Sequence, residues 1–284
     1  MQPTQISGSP APVIITLAPI DYTRLDLFPS ADALADDICA SQAEGAAVVH
    51  FHVTDAVGRA TGDTTFFDSI VHIVRERCDI VVQGSTGGVG APWDVRSAAM
   101  AADGIEMASL NMGTCNLFGR AYINTLDDIT ALAGRLHEAK LVPDMVFFEP
   151  GFFTSLHALE HIPARPHPVC SICLGFPGTL PASVENLVFM VAKLPPRAEW
   201  TLVHHGATDF ALLAAAIAAG GNIRVGFEDS RSLGGGPVAS NNAQLVAKAR
   251  ALVEQLGRRV ASVDEVRQRY GISRSPVPVP TIKP

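Results

Sequence analysis

The sequence predicts an α/β protein that folds as a (β/α)8 barrel, the TIM barrel. Eight short apolar runs rich in Val, Ile and Leu alternate with eight helix-length amphipathic segments. Nearly continuous apolar runs are typical of parallel strands, which are buried on both faces. The length of 284 residues also suits such a barrel, which takes about 250 residues. A doubly wound open sheet is the alternative, but no G-x-G-x-x-G follows the first predicted strand to support it.

Glycine and capping residues mark the ends of the predicted elements. Gly45 ends the first helix and Gly220-Gly221 precede the last strand, because glycine readily adopts the backbone conformation that follows a helix. Asp63 and Thr125 are candidate N-caps, since their side chains can accept hydrogen bonds from a first helical turn. The predicted strands are 12–18, 46–53, 79–84, 105–111, 145–149, 168–174, 200–205 and 222–227, and the predicted helices are 31–44, 64–77, 93–102, 126–139, 154–161, 182–193, 208–219 and 241–256, followed by a short helix at 264–271.

We expect one barrel domain to take up the whole chain, residues 1–284, because no change of composition marks a boundary inside it. A short N-terminal tail, residues 1–10, precedes the first strand. The Pro-rich tail, residues 274–284, is expected to be extended and to reach towards a neighbouring subunit.

Composition and charge exclude several classes of protein. Hydrophobic residues make up 48% and charged residues 17%, with a net charge of −7 and no run of Lys or Arg, so we expect no binding to nucleic acid or to an anionic membrane. No apolar stretch reaches the roughly 18 residues of a membrane span, and Met1 to Pro10 lack the pattern of a signal peptide. The odd number of cysteines predicts reduced thiols and a cytoplasmic location; they are Cys39, Cys78, Cys115, Cys170 and Cys173.

The Cys170-Ser-Ile-Cys173 sequence is a CxxC motif within a predicted strand. Residues i and i+3 of a strand face opposite sides, so these thiols are not expected to meet. No second CxxC completes a zinc ribbon. We therefore interpret them as two ordinary, largely buried cysteines.

Two histidines at the end of the second predicted strand are the clearest sign of function. His50 and His52 follow the apolar run 46–49 and, being two residues apart, point to the same side of a strand. Neutral imidazole is a common ligand of zinc and related ions. A carboxylate ligand is available in Glu228, which follows the last strand. Because first and last strands adjoin in a closed barrel, only strand one separates these two groups.

Other polar residues also follow the predicted strands, where barrels collect their catalytic groups. The Ser85-Thr-Gly-Gly88 turn offers hydroxyls and free amides to a carboxylate or phosphate, although it also suits a plain turn. Arg224 within an apolar strand needs a partner, which Glu228, Asp229 or an anionic substrate would supply. Only one of the adjacent His204 and His205 can face inward. The remaining strand-end residues are Ser109, Asn111 and Glu149.

Two imidazoles and one carboxylate form a three-ligand set that leaves an open position on a metal, as in Lewis-acid catalysis. Zinc is the default ion, and Fe(II) uses the same ligand types. Asp229 is then free to act as a base. These residues predict a metal-assisted reaction on an anionic carbonyl compound.

At these residues the sequence resembles the β-keto acid cleavage enzyme family nearly from end to end. The resemblance rests on an ordered set of motifs rather than on one of them. They are Ile14-Ile-Thr-Leu-Ala-Pro19, Val49-His-Phe-His52, Gln83-Gly-Ser-Thr-Gly-Gly88, Ser109-Leu-Asn-Met-Gly-Thr114, Glu149-Pro-Gly151, Leu174-Gly-Phe-Pro-Gly178, Arg224-Val-Gly-Phe-Glu-Asp229 and Asn242-Ala-Gln-Leu-Val246.

The resemblance implies a zinc-bearing (β/α)8 barrel that forms a homotetramer and converts a β-keto acid and acetyl-CoA into acetoacetate and a new acyl-CoA. It implies that His50, His52 and Glu228 hold the zinc and that Asp229, oriented by Arg224, removes a proton from the α-carbon of the keto acid. The enolate then attacks the acetyl thioester, and the released CoA thiolate completes a retro-Claisen cleavage. Together with the strand-end residues, it predicts a substrate-binding set: Ser85, Thr86, Gly87, Ser109, Asn111, Glu149 and His205.

The sequence departs from the family pattern at three places. Thr54 stands where the family commonly has Arg, and Thr23 stands where the aminohexanoate enzyme has a glutamate for the substrate amine. His204-His205-Gly206 replaces a small, glycine-containing stretch. The first two changes alter the charge of the pocket and argue against a 5-amino substrate. The histidines leave open a CoA-independent, metal-assisted lyase or hydrolase as an alternative, and a non-catalytic barrel that binds a small acid is the third hypothesis.

Overall fold

The computed structural model describes residues 11–163 and 167–273, and in them eight parallel strands close into a barrel. The order around the barrel is β1-β2-β3-β4-β7-β8-β9-β10, and β10 pairs with β1. Helices lie outside the strands, as expected for a TIM barrel, so the predicted fold class is confirmed. The barrel strands are β1 (Ile15–Leu17), β2 (Val48–Phe51), β3 (Val81–Gly84), β4 (Met107–Asn111), β7 (Val142–Phe147), β8 (Val169–Leu174), β9 (Glu199–His204) and β10 (Asn222–Val225).

The helices match the predicted ones within a few residues, with two differences of type. The predicted helix at 154–161 is a 3₁₀ helix, Pro150–Leu159, and the one at 93–102 is split between α3 and a 3₁₀ helix, Ala98–Ala101. A third 3₁₀ helix spans Leu25–Leu27. The α-helices are α1 (Ala31–Ala43), α2 (Thr65–Arg77), α3 (Trp93–Ser97), α4 (Leu126–Glu138), α5 (Val184–Val191), α6 (Ala211–Ala218), α7 (Asn242–Gln255) and α8 (Val263–Tyr270).

An antiparallel hairpin between β4 and α4 was not predicted. It consists of β5 (Cys115–Leu117) and β6 (Arg120–Tyr122), and Phe118 at its turn has a positive φ of 52°. Three-residue strands carry too little periodicity to be recognised in a sequence. The hairpin matters because it lies beside the carboxyl ends of the barrel strands.

Side-chain caps define where two of the helices begin. Thr125 accepts from the backbone N–H of Asp128, and the Asp128 carboxylate accepts from Thr125 in return, which is a capping box. Thr64 is the N-cap residue of α2, but the predicted Asp63 accepts a hydrogen bond of 2.9 Å from the backbone N–H of Thr65. The N-cap prediction is confirmed for Thr125 and was wrong by one residue for Asp63, which bonds the first turn of α2 from the position before the N-cap.

The amino-terminal end of the barrel is closed by α8. Val266 and Tyr270 of this helix are buried in one cluster with Ile14, Val48 and Val81 from the strands. With this end filled by apolar side chains, the carboxyl ends of the strands are the open end of the barrel, where the polar residues singled out above lie.

The prediction that all cysteines are reduced thiols was wrong for one pair. Cys39 of α1 and Cys78 after α2 form a disulfide with a Cα–Cα distance of 5.7 Å. Helices α1 and α2 pack side by side, and this brings together two cysteines whose spacing gives no sign of pairing. In the part of the chain that the structure describes, Cys115, Cys170 and Cys173 are free, and the last two are buried, as the interpretation of the CxxC motif required.

Two expectations fall on residues outside the described ones: the short tail at 1–10 and the extended Pro-rich tail at 274–284. Among the helices of residues 11–163 and 167–273, none is both long and apolar enough to cross a membrane.

Candidate active site

Closure of the barrel brings together the two histidines and the carboxylate that the sequence singled out. Strand β1 pairs with β10 on one side and with β2 on the other. As a result, one ligand atom each of His50, His52 and Glu228 lie within 4.8 Å of one another. An ion with bond lengths of about 2.0–2.2 Å holds two ligand atoms at most about 4.4 Å apart, so the three atoms lie close to the spacing that one shared ion requires.

The two histidines are held as neutral ligands. The Nδ1 of His50 is 2.8 Å from Oε1 of Gln83, so with the hydrogen on Nδ1 the lone pair of Nε2 is free. The backbone N–H of His52 donates to the hydroxyl of Tyr22 at 2.9 Å, and the two rings meet edge to face. Burial, followed by the charge of Arg224, lowers the pKa of His50 well below its usual value and that of His52 to about 4.

Glu228 is partly buried, and one of its carboxylate oxygens has no partner in the part of the chain that the structure describes. Its Oε1 accepts a hydrogen bond of 3.2 Å from Nη2 of Arg224, while Oε2 has no hydrogen-bond partner among the described residues. Burial raises the pKa of Glu228 to about 7, against the opposing effect of Arg224. An unpaired buried carboxylate oxygen is costly, and a cation beside the two imidazoles would compensate it. The three residues therefore fit a divalent metal.

Arg224 and Asp229 form a buried pair next to this cluster. The Nε of Arg224 donates to Oδ2 of Asp229 at 2.7 Å and Nη2 donates to Oδ1 at 2.5 Å, which is the bidentate geometry of a strong charge-assisted pair. Only 10% of the Arg224 side chain and 3% of the Asp229 side chain are exposed. Although burial lowers the pKa of Arg224, the carboxylates of Asp229 and Glu228 raise it above its usual value, so the guanidinium stays charged.

The turn after β10 places these two carboxylates. Gly226 has φ of +146°, and a Cβ on it would clash with the carbonyl oxygen of Ala18. The N–H of Glu228 donates to the same carbonyl at 3.1 Å. Glycine is thus required where the chain passes close to β1 and sends two consecutive acidic residues to different partners.

The Ser85-Thr-Gly-Gly88 turn lies beside the cluster, and its polar groups are partly used within the protein. A Cβ on Gly87 would be 3.5 Å from Cε1 of His52, so the turn borders the histidine. The N–H of Thr86 donates to Oγ of Ser109 at 2.9 Å, and the Thr86 hydroxyl donates to the Ser109 carbonyl at 2.7 Å. The Thr86 side chain is therefore engaged with β4, whereas the hydroxyl oxygen of Ser85 accepts a hydrogen bond of 3.1 Å from the N–H of Gly87 in its own turn.

His205 belongs to a group of aromatic rings, here called the aromatic wall. Thr201 and Val203 line the barrel interior, and His205 continues this face of the strand. Its ring stacks on Phe176 with centroids 4.7 Å apart and meets Phe118 of the hairpin edge to face at 5.3 Å. The wall consists of Phe118, Phe148, Phe176 and His205.

Glu149 and Asn111 complete the predicted substrate-binding set, and His204 adjoins His205 at the end of β9. Glu149 is partly buried where β7 leads into a 3₁₀ helix, and this burial raises its pKa. His204 and His205 are each half-buried, and their Nδ1 atoms have no hydrogen-bond partner among the described residues. Asn111 is buried, and its backbone carbonyl accepts a hydrogen bond from the side-chain amide of Asn124.

The residues that replace the family pattern have local partners. Asp21 accepts from the hydroxyl of Thr23 at 2.5 Å, and its carboxylate lies 3.4 Å from Nε of Arg231. The guanidinium of Arg231 also lies over the ring of Phe227. Thr54 is buried and pairs with Ala60 in a short bridge. The charge of Asp21 is therefore already offset within the protein.

Three residues at the site were missed by the sequence analysis: Tyr22, Gln83 and Asp144. Gln83 and Asp144 are buried polar residues in apolar strands. This pattern, unusual for a core position, is the signal that could have identified them. A cavity of about 790 Å³ lies elsewhere, between α4 and the 3₁₀ helix Pro150–Leu159, and none of the predicted site residues lines it.

Comparison with known proteins shows the family of this chain. A model of the beta-keto acid cleavage enzyme family matches residues 12–272. The chain is 32% identical to the 3-keto-5-aminohexanoate cleavage enzyme of Fusobacterium nucleatum subsp. nucleatum, over 81% of this chain and 85% of that protein. The chain belongs to the β-keto acid cleavage enzyme family. This confirms the resemblance inferred from the sequence motifs.

More distant relatives and folds extend the comparison. A relative from Rhizobium meliloti named 3-dehydrocarnitine:acetyl-CoA trimethylamine transferase is 28% identical over 85% of this chain and 88% of its own length. The apo structure of ObcA shares the fold, with a TM-score of 0.74 at 18% identity, and the match covers 87% of this chain and 66% of that one. At this identity the likeness to ObcA concerns the fold alone.

Proposed function

We propose that this β-keto acid cleavage enzyme converts a β-keto acid and acetyl-CoA into acetoacetate and a new acyl-CoA, using zinc held by His50, His52 and Glu228. The observation that carries the proposal is the position of the bidentate Arg224–Asp229 pair directly beside the three clustered ligand atoms. A metal site with a base next to it is what enolate formation from a keto acid requires. The name of the Rhizobium relative includes acetyl-CoA, and this supports acetyl-CoA as the second substrate here.

The reaction assigns a role to each charged residue of the site. A divalent cation held by the three ligands would act as a Lewis acid on the keto oxygen and increase the acidity of the α-carbon. Asp229 accepts the α-proton, and Arg224 positions the carboxylate through its two hydrogen bonds. The enolate carbon attacks the acetyl thioester and expels CoA thiolate. The thiolate then attacks the keto carbon, the C–C bond breaks, and the acetoacetate enolate recovers its proton from Asp229.

The keto acid's carboxylate is assigned to the turn after β3. Gly87 borders His52, and Ser85, Ser109 and Asn111 supply hydroxyl and carboxamide groups at the ends of β3 and β4, as an anion site requires. Thr86 supports this turn through its two bonds to β4. Glu149 and His205 lie at the rim, where the side chain of the keto acid and the acyl-CoA would pass.

The substrate's side chain is proposed to be uncharged. Asp21 is engaged by Arg231 and Thr23, so it offers little to an amino group. The aromatic wall supplies apolar ring surface at the rim. A neutral or apolar side chain therefore suits this site better than the amino or trimethylamine group in the names of the relatives compared above.

A panel of β-keto acids with neutral, acidic and cationic side chains tests the proposal. Each is incubated with zinc-loaded enzyme and acetyl-CoA, and new acyl-CoA is measured by mass spectrometry. We expect the β-keto acids with neutral side chains to give the most acyl-CoA. The unpartnered Nδ1 atoms of His204 and His205 favour one competing function, a CoA-independent lyase. Cleavage that runs equally fast without acetyl-CoA would replace our proposal with that one.

A further inference from the structure

A line of hydrogen bonds, here called the relay, crosses the barrel interior beneath the candidate metal site. Nδ1 of His50 lies 2.8 Å from Oε1 of Gln83, and Nε2 of Gln83 donates to Oδ2 of Asp144 at 2.8 Å. Oδ2 of Asp144 also accepts from the hydroxyl of Ser171 at 2.8 Å. The relay runs from β2 through β3 to β7 and β8, and all four side chains are buried.

With Asp144 ionised, only one assignment of hydrogen-bond donors and acceptors is possible along the relay. An ionised Asp144 accepts hydrogen bonds and donates none, so Gln83 must turn its NH2 group towards it. The amide oxygen of Gln83 then faces His50, whose Nδ1 must carry the hydrogen because two lone pairs would otherwise meet. The lone pair of His50 is left on Nε2, the only other ring nitrogen.

The buried carboxylate of Asp144 lowers the stability of the fold unless it has a function, such as orienting the amide of Gln83. Burial raises its pKa, while the hydrogen bonds from Gln83 and Ser171 and the charge of Arg224 oppose that effect. Its second oxygen, Oδ1, has no hydrogen-bond partner among the described residues. A buried carboxylate contributes less to stability than a well-packed apolar side chain of similar size. Packing alone therefore does not explain a carboxylate at this position.

We infer that Gln83 and Asp144 are positioning residues: Asp144 fixes the orientation of the Gln83 amide, and Gln83 fixes the tautomer and ring orientation of His50. The inference rests on the proposed metal site, because it assigns the freed Nε2 of His50 to the metal. Groups that orient a ligating histidine in this way typically change metal affinity by about 10- to 100-fold when removed.

Three variants separate orientation from packing. Gln83→Met keeps the size of the side chain and removes both hydrogen bonds, so we expect zinc affinity to fall by about 10- to 100-fold. The double variant Gln83→Glu with Asp144→Asn exchanges the two groups: the NH2 introduced at position 144 would donate to the carboxylate introduced at position 83, which would accept from His50. We expect it to bind zinc within about threefold of the wild type, on the same grounds. Gln255→Met, on the exposed end of α7, is the matched control.

Affinity is measured by competition with a chromophoric chelator, and the visible d–d spectrum of the Co²⁺-loaded protein reports the ligand geometry. Circular dichroism confirms folding, and the double variant keeps the test valid if Gln83→Met does not fold. Wild-type affinity and an unchanged Co²⁺ spectrum in Gln83→Met would overturn the inference, as would a double variant that binds at least tenfold more weakly than the wild type. A wild-type protein that binds no stoichiometric zinc would instead overturn the metal site of the proposed function, and the relay's role with it.

Discussion

At the scale of single residues, the candidate site depends on how one guanidinium divides its hydrogen bonds between two consecutive carboxylates. Arg224 gives two bonds to Asp229 and one longer bond to Glu228. Glu228 therefore keeps an oxygen for a metal, and Asp229 is oriented with its charge compensated. An arginine suits this position because its planar fork matches a carboxylate, which a lysine would not.

Asp229→Asn should separate metal binding from catalysis. The amide keeps the size of the side chain and cannot accept the α-proton, so we expect kcat to fall by about 100- to 10,000-fold with one zinc still bound per chain. Steady-state kinetics and metal analysis check this together. Asp264→Asn, whose side chain is 83% exposed on α8, serves as control. Undiminished turnover in Asp229→Asn would exclude this residue as the base.

At the scale of elements, two turns carry the site: the one after β10 and the one after β3. The first requires glycine where the backbone passes close to β1, at Gly226 against Ala18, and in the second Gly87 lies at ordinary contact distance from His52. The ligands are thus held by strand ends and tight turns rather than by long loops, which limits their movement. Precision of this kind is what a preformed metal site needs.

Gly226→Ala should disrupt folding and the metal site together. The new Cβ would clash with the Ala18 carbonyl on β1 in a backbone conformation that favours glycine, so we expect a loss of more than about 3 kcal/mol in the free energy of unfolding. Gly134→Ala in α4 has nothing within 4 Å of the new methyl group and should be neutral or stabilise by up to about 1 kcal/mol. Urea unfolding of both variants tests the contrast. Equal stabilities would show that the turn is not constrained.

His205→Ala should remove one ring of the aromatic wall without touching the metal. Ring stacking and edge contacts contribute about 0.5–1.5 kcal/mol, so KM for β-keto acids with apolar side chains should rise about three- to tenfold while kcat stays within about twofold. Kinetics with neutral and acidic substrates measure this, and His72→Ala on the surface of α2 is the control. A collapse of kcat instead would mean that His205 takes part in the chemistry.

At the scale of the whole molecule, the candidate metal site brings together the first and last segments of the barrel sheet. Its residues lie at the end of β2 and just after β10, and these two strands flank β1 on opposite sides. At the other end of the barrel, the buried Arg267 of α8 pairs with Asp79 and Glu106. Both clusters join groups that lie far apart in the chain.

Zinc should stabilise the folded chain. A ligand that binds only the native state at about 100 times its Kd contributes about 2.7 kcal/mol, which for a domain of this size raises the Tm by about 5–10 °C. Calorimetry of chelator-treated protein with and without added zinc measures the shift, and His50→Ala should abolish it. An equal shift in His50→Ala would place the bound zinc elsewhere.

The sequence by itself determined the barrel and the positions of its strand-end residues. The alternation of apolar runs and amphipathic segments is local, and so is the two-residue spacing that puts His50 and His52 on one face. The relation of Glu228 to these histidines also followed once a closed barrel was assumed. The first strand separates β10 from β2 as predicted.

Only the tertiary structure decided which polar groups meet. The relay from His50 through Gln83 to Asp144, the pairing of Asp21 with Arg231, the Cys39–Cys78 disulfide and the β5–β6 hairpin were not predicted. Each depends on contacts across strands or helices, at distances set by register and packing. Local patterns in a single sequence report which face a residue occupies, whereas a partner from a distant segment is chosen only when the barrel closes.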